Sequence, residues 1–202
     1  GDARMTVREF YDRMGSPEFD FDKYVESGML PEIEGCLRVI PVGESFLLGR
    51  LFVKAFHTPH DTDESVGYRV EGDGVFALAT DMGCVTNEVM EGLRGAETVL
   101  IEANHDVNML QVGPYPYYLK QRILGDRGHL SNENSGKLLS RILHDGLKEI
   151  ILGHLSKENN LPELAYEAVR MEINMGDTPY KASDFQLTVA KRDDVSRIVE
   201  IA

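Results

Sequence analysis

Four apolar runs in this chain each end on a histidine or a carboxylate. Residues 51–56 run into His57-Thr58-Pro59-His60-Asp61, residues 75–80 into Asp81, residues 98–101 into Glu102-Ala103-Asn104-His105-Asp106, and Ile150-Ile151-Leu152 into Gly153-His154. A short apolar run closed by a turn signal reads as a buried strand. In open α/β sheets the carboxyl ends of strands are where ligands usually bind. One such ending is ordinary. Four point to a shared site, because metal and acid–base chemistry need ionisable groups converging from separate elements. Histidine and carboxylate donors suit zinc, manganese or iron. With no cysteine ligand and several carboxylates, the set leans to hydrolysis, where a bridged metal pair lowers the pKa of a bound water and holds an attacked phosphate.

Each candidate has a plainer role when taken singly. His60 reads as a loop histidine beside a proline, Asp81 as a turn aspartate, and His154 as a core histidine bonded to backbone. Their common strand-end placement favours a metal site built from His60, Asp81 and His154. For His105 and His129 three roles stay open: orienting a ligand through the other ring nitrogen, contacting substrate, or making a structural hydrogen bond. His144 fits a C-terminal helix cap. Lys120, Arg122 and Arg127, near Tyr115, Tyr117 and Tyr118, form a basic cluster that reads first as an amphipathic helix with solvated charges and second as a track for a phosphodiester backbone. Ser131 and Ser156 sit in the related heptapeptides Gly-His-Leu-Ser-Asn-Glu-Asn and Gly-His-Leu-Ser-Lys-Glu-Asn. Helix capping accounts for both serines, and no Ser-His-Asp constellation is readable.

The elements that must position these residues follow from pattern. The 202 residues, 42% hydrophobic and 27% charged, suffice for a single domain over 1–202. A net charge of −13 argues against a broad basic nucleic-acid surface, though not against a nuclease whose metal ions supply positive charge locally. No stretch has the length of a membrane span and no signal peptide opens the chain. With Cys36 and Cys84 forming no spacing motif, a reduced, cytoplasmic protein is expected. Gly1 to Arg4 reads as a cut end. Helices are expected over 7–14, 87–94, 131–144 and 161–175, with a helical turn at 107–110. Strands are expected over 37–42, 51–56, 66–71, 75–80, 98–101, 150–152 and 187–190, and residues 19–30 are irregular. Leu47-Leu48-Gly49 leads into the strand at Leu51, and Gly72-Asp73-Gly74 closes a hairpin. A strand-rich first half and an alternating second half make the chain α/β with a mixed sheet.

His60-Asp61, Ala79-Thr80-Asp81-Met82-Gly83, the string from Leu100 to Asp106, that from Gly125 to Glu133, and that from Gly153 to Asn160 together resemble the YycJ/WalJ family of the metallo-β-lactamase fold. The likeness runs from about Gly28 to the C-terminus. It implies an αββα sandwich with a dinuclear site of zinc or manganese at one edge of two sheets, and a metal-dependent 5′-to-3′ DNA exonuclease. By resemblance, His60 is the third histidine of metal one, Asp81 the bridging carboxylate and His154 the late histidine of metal two. His129 and His105 are the catalytic candidates, contacting the phosphate or assisting the leaving group after attack by a metal-bridging hydroxide.

The family's His-x-His-x-Asp-His signature and its Ser-Gly-Ser-Ser-Gly-Asn opening are absent. His57-Thr58-Pro59-His60-Asp61 does not replace the signature, because its spacing differs. The expectation is therefore an N-terminally truncated domain, lacking the first strands of one sheet and most primary ligands, with an incomplete site for two divalent ions. Open sheet edges would favour a homo-oligomer. DNA is the expected partner. The alternatives are a hydrolase of RNA or of a small ester such as a thioester or lactone, and a non-catalytic fragment that needs a partner.

Overall fold

A computed structural model describes Ile40 and residues 42–201. The expected helix over 7–14, the irregular stretch 19–30 and, apart from Ile40 and Val42, the expected strand over 37–42 lie outside the described residues. In chain order the elements are β1 (Ser45–Leu48), β2 (Leu51–His57), β3 (Val66–Glu71), β4 (Val75–Ala79), α1 (Asn87–Leu93), β5 (Thr98–Glu102), α2 (Val107–Val112), α3 (Tyr117–Leu124), α4 (Asn132–Ser140), β6 (Glu149–Gly153), α5 (Pro162–Met175), a 3₁₀ turn (Ala182–Asp184) and β7 (Gln186–Val189). No described helix is long and apolar enough to cross a membrane.

The seven strands form one mixed sheet whose spatial order is the chain order. β1 to β4 pair antiparallel, and β4 to β7 pair parallel. A parallel pair cannot be closed by a tight turn, so each parallel step carries its chain back through a crossover; here α1, then α2 to α4, then α5 fill those crossovers. Direction decides where the site sits. β4, β5 and β6 are mutually parallel, and β2 points the same way because both β2 and β4 are antiparallel to β3. All four strand ends read as ligand-bearing therefore share one edge of the sheet. The described residues supply one sheet with its helices; a second sheet of the expected sandwich is not among them.

One face of the sheet is the core face. Ala77, Val99 and Ile150 are register partners in one row, and Ala79, Ile101 and Leu152 in the next. All six are fully buried in one cluster with Val89 and Leu93 of α1, Leu138 and Leu139 of α4, and Val169 and Ile173 of α5. Small residues on β4 bring α1 close. Phe56 of β2 is 2% exposed, and a Cβ on Gly92 of α1 would meet its ring at 2.5 Å. Phe56→Ala is expected to destabilise the fold by about 3–5 kcal/mol, since the helix cannot collapse onto so large a gap. Urea unfolding measures this, and a loss below about 1 kcal/mol would mean that another side chain refills the space.

The structure departs from the sequence reading at six places. Leu47 and Leu48 belong to a strand of their own, β1, rather than a lead-in, because Gly49 with φ 61° turns the chain back into a hairpin. The helical turn at 107 extends to Val112, with the Asp106 carboxylate accepting from Met109 N at 2.8 Å as its cap. The tyrosine-rich stretch after Pro116 forms α3, which buries none of its residues. α4 stops at Ser140 rather than His144, because Arg141 N and Ile142 N bond back to Leu138 O and Leu139 O, tightening the last turn. His144 is not a helix cap: its Nδ1 accepts from Gly146 N at 3.1 Å, leaving Nε2–H for Ala96 O at 3.1 Å. Ser131 caps α4, but Ser156 caps only a turn, accepting from Asn159 N.

Candidate metal centre

Asp81 and His154 are the described non-glycine residues with positive φ, 57° and 56°. His154 directly follows β6, and Asp81 lies two residues past the end of β4. Left-handed backbone is disfavoured for residues with a Cβ and persists where neighbours fix it, often at functional sites. The neighbours here are polar groups of the β5 end. Glu102 Oε2 accepts from Met82 N at 3.0 Å, next to Asp81. Asn104 Nδ2 donates to His154 O at 3.0 Å, and Ser156 N to Asn104 O at 2.7 Å. The string from Glu102 to His105 thus holds both reversals.

The result is a tight cluster. Asp81 Oδ1 lies 3.3 Å from His154 Nε2, 3.6 Å from His60 Nε2 and 3.9 Å from His129 Nδ1. The His129 ring sits 4.9 Å from that of His60 and 5.2 Å from that of His154, centre to centre. Among the described residues, two groups have ligand atoms within 4.8 Å of one another: His60, Asp81 and His129, and Glu102, His129 and His154. His60 is fixed from behind, its Nδ1 bonded to Gly128 O at 3.0 Å. The loops that carry these residues touch directly. Gly83 N donates to Pro59 O at 3.0 Å, and a Cβ on Gly83 would lie 2.3 Å from Gly125 O and 2.4 Å from Gly128 N. Gly83→Ala is therefore expected to push the loop bearing His129 away from Asp81, at a cost of about 1–3 kcal/mol in stability. Thermal unfolding of the variant checks this; an unchanged midpoint would contradict the close packing.

His129, expected to meet substrate or orient a ligand, stands between the other two histidines. Its Nδ1 is 2.6 Å from Glu102 Oε1. Burial opposes protonation of His129, but the hydrogen bond to Glu102 and the charges of Glu102, Asp81 and Asp61 outweigh it and raise its pKa. Glu102 is fully buried with both oxygens engaged, one by His129 and one by Met82 N. In the sequence Glu102 stands only as the end of a strand, not as a site residue. The available signal was a carboxylate closing a run that is otherwise wholly apolar, where an ionised group needs a dedicated partner.

His105 is placed differently from the substrate-contact expectation. Its side chain is 1% exposed, it does not line the cleft described next, and its Nδ1 faces Asn104 Oδ1 at 3.4 Å. Burial, then the nearby charge of His129, lowers its pKa to about 4, so it is neutral at pH 7. The physical reason is topological: His105 lies in an isolated bridge with Ser131, which draws it beneath the strand end.

A cleft of about 450 Å³ opens over the cluster, lined by His60, His129 and His154. Arg122 and Tyr115 also line it, as do Lys157 and Arg192. Arg122 Nε donates to Asp61, and this ion pair lowers the Asp61 pKa. A set of imidazoles and carboxylates at such spacing has the donors for a divalent cation of the zinc or manganese kind.

Comparison with known proteins extends this geometry. Over 164 residues, 81% of this chain, the sequence is 37% identical to exodeoxyribonuclease WalJ of Streptococcus pneumoniae serotype 2 (strain D39 / NCTC 7466). Over 132 residues, 65% of this chain, it is 37% identical to exodeoxyribonuclease YycJ of Bacillus anthracis. This chain is a homologue of the WalJ/YycJ proteins. It spans 61% of the length of the first relative and 50% of the second. The structure resembles the metallo-β-lactamase fold protein YhfI of Bacillus subtilis, with a TM-score of 0.51 and 13% identity over 75% of this chain and 52% of that one. The chain carries that α/β fold, and at this identity the likeness speaks of fold alone. No protein-family model matches the chain.

Proposed function

We propose that this chain carries part of the site of a divalent-metal-dependent phosphodiesterase that removes nucleotides from the 5′ end of DNA. The observation that carries the reading is the position of Asp81, whose Oδ1 faces three histidine nitrogens between 3.3 and 3.9 Å away. Histidines this close repel one another when all are protonated; around a cation His60 and His154 can stay neutral. The donor chemistry thus fits zinc or manganese. His60, Asp81 and His154 would hold the metal. When bound, such ions supply an acidified water and stabilise the charge that builds on the attacked phosphate. The exodeoxyribonuclease relatives support DNA as the substrate class.

The chain's own residues account for the remaining steps. Glu102 occupies Nδ1 of His129, fixing the ring and raising its proton affinity. That leaves Nε2 as the nitrogen for substrate. From there His129 donates a proton to the departing oxygen, which would otherwise leave as an alkoxide. His105 stays neutral beneath the site and supports the Asn104 turn. Asp61, anchored by Arg122, holds the His60 loop against α3.

The test uses DNA labelled at the 5′ or the 3′ end, with manganese or zinc supplied. The expected result is early release of labelled mononucleotide from the 5′-labelled strand and progressive shortening of the 3′-labelled one. Hydrolysis of a thioester or lactone with no loss of DNA would overturn the substrate assignment.

A further inference from the structure

The two related heptapeptides, residues 128–134 and 153–159, lie far apart in sequence but meet in the fold. The first leads into α4 and the second follows β6. Each carries its histidine in second place, and the rings of His129 and His154 stack with their planes 27° apart. Their individual roles do not explain what sets the distance between them.

The chain beyond β5 runs between the two loops and bonds to both. Toward the first loop, Asn104 N donates to Leu130 O at 3.0 Å, and His105 O accepts from Asn132 N at 2.9 Å. Toward the second, Ala103 N donates to Gly153 O at 3.0 Å, Asn104 O accepts from Ser156 N at 2.7 Å, and Asp106 N donates to Asn159 O at 2.9 Å. A buried amide pair ties the far sides of the loops together. Asn132 Nδ2 donates to Asn160 Oδ1 at 2.9 Å, and Asn160 Nδ2 to Asn132 Oδ1 at 2.8 Å. A satisfied buried network of this kind admits one arrangement, because any other leaves polar groups unpaired in a medium of low dielectric.

One side chain acts where the loops meet the cleft. Asn104 is 8% exposed and lies in the cleft lining. Its Nδ2 donates to His154 O at 3.0 Å, the carbonyl of a residue held at φ 56°. An ordinary turn amide would serve only to close the turn. Here the backbone bonds of residues 103–106 already close it, and the side chain adds a bond to the residue whose backbone is least at ease.

We propose that Asn104 is a positioning residue: its backbone ties to the His129 loop, its side chain fixes His154, and the two histidines are thereby carried as one rigid unit. The proposal rests on the metal-centre reading for what the two histidines do, and adds the residue that sets their separation. Losing a group that orients a metal ligand from outside weakens metal binding about ten- to hundredfold.

Nuclear magnetic resonance of the whole, metal-free chain tests this without any ion. Ring protons of His129 and His154, with ring centres 5.2 Å apart, are expected to show nuclear Overhauser contacts in the wild type. In Asn104→Ala these contacts should weaken severalfold or vanish, while those between Val99 and Ile150, register partners in the core, persist. A general structural role would erase both sets together and overturn the proposal. Asn104→Leu, close in size but without a donor, repeats the test if truncation unfolds the chain. Calorimetric titration with zinc should show affinity falling about ten- to hundredfold in the variant. With bis(p-nitrophenyl) phosphate, kcat should fall at unchanged KM, and excess manganese should restore it, because His154 is misplaced rather than lost. Wild-type ring contacts in Asn104→Ala would overturn the proposal, and so would wild-type zinc affinity. If the contacts are lost but neither protein cleaves the diester, the hydrolytic reading falls and the positioning role stands. If the wild type cleaves and Asn104→Ala keeps its contacts and affinity, the positioning role falls alone.

Discussion

Asp81→Asn is expected to abolish phosphodiester hydrolysis while the fold persists. Asn tolerates left-handed backbone about as well as Asp, so the φ of 57° at this position remains accessible. The change keeps shape and removes charge. That charge is the common neighbour of His60, His129 and His154; without it a cation held among these residues would lose its carboxylate partner. Turnover should fall on the order of a thousandfold or more, with bound metal lost in parallel. Near-normal cleavage by the variant would remove Asp81 from the centre of the account.

His129→Ala should fail in a different way. If the ring serves the leaving group, metal content stays normal and turnover falls about a hundredfold or more, the usual range for losing a general acid. Glu102→Gln should produce a similar fall, because the amide keeps the space but no longer holds the imidazole protonated. The two residues act through one hydrogen bond of 2.6 Å, so the double variant should be little worse than the more severe single one. Steady-state kinetics beside elemental analysis separates the outcomes. If His129→Ala strips the metal, His129 is a ligand, as its membership of both candidate groups would allow.

Much of this arrangement was legible because sheet geometry turns sequence pattern into position. The apolar runs ending at Asp81, Glu102 and His154 read as buried strands, and parallel pairing puts their carboxyl ends on one edge. The hairpin at Gly72-Asp73-Gly74 sets β3 against β4, and β2 in turn runs against β3, which brings His60 to that edge as well. What stayed hidden depends on three-dimensional partners. Glu102 looked like a strand terminus until its two oxygens were seen to serve Met82 N and His129. His105 looked equivalent to His129, yet one is drawn inward by its bridge to Ser131 while the other faces the cleft. Arg192 lies in a polar tail with no periodicity, and only the fold returns it to His154. β1 escaped because Leu47-Leu48 carries no alternation to distinguish a strand from a lead-in.

The central claim is that the cluster around Asp81 binds divalent metal, and calorimetric titration of zinc or manganese into the purified chain tests it most directly. The account predicts weak, saturable binding to the wild-type chain, which carries only part of the ligand set, and loss of that binding in Asp81→Asn at unchanged thermal stability. Binding that is the same in both proteins, or absent from the wild type, would contradict it.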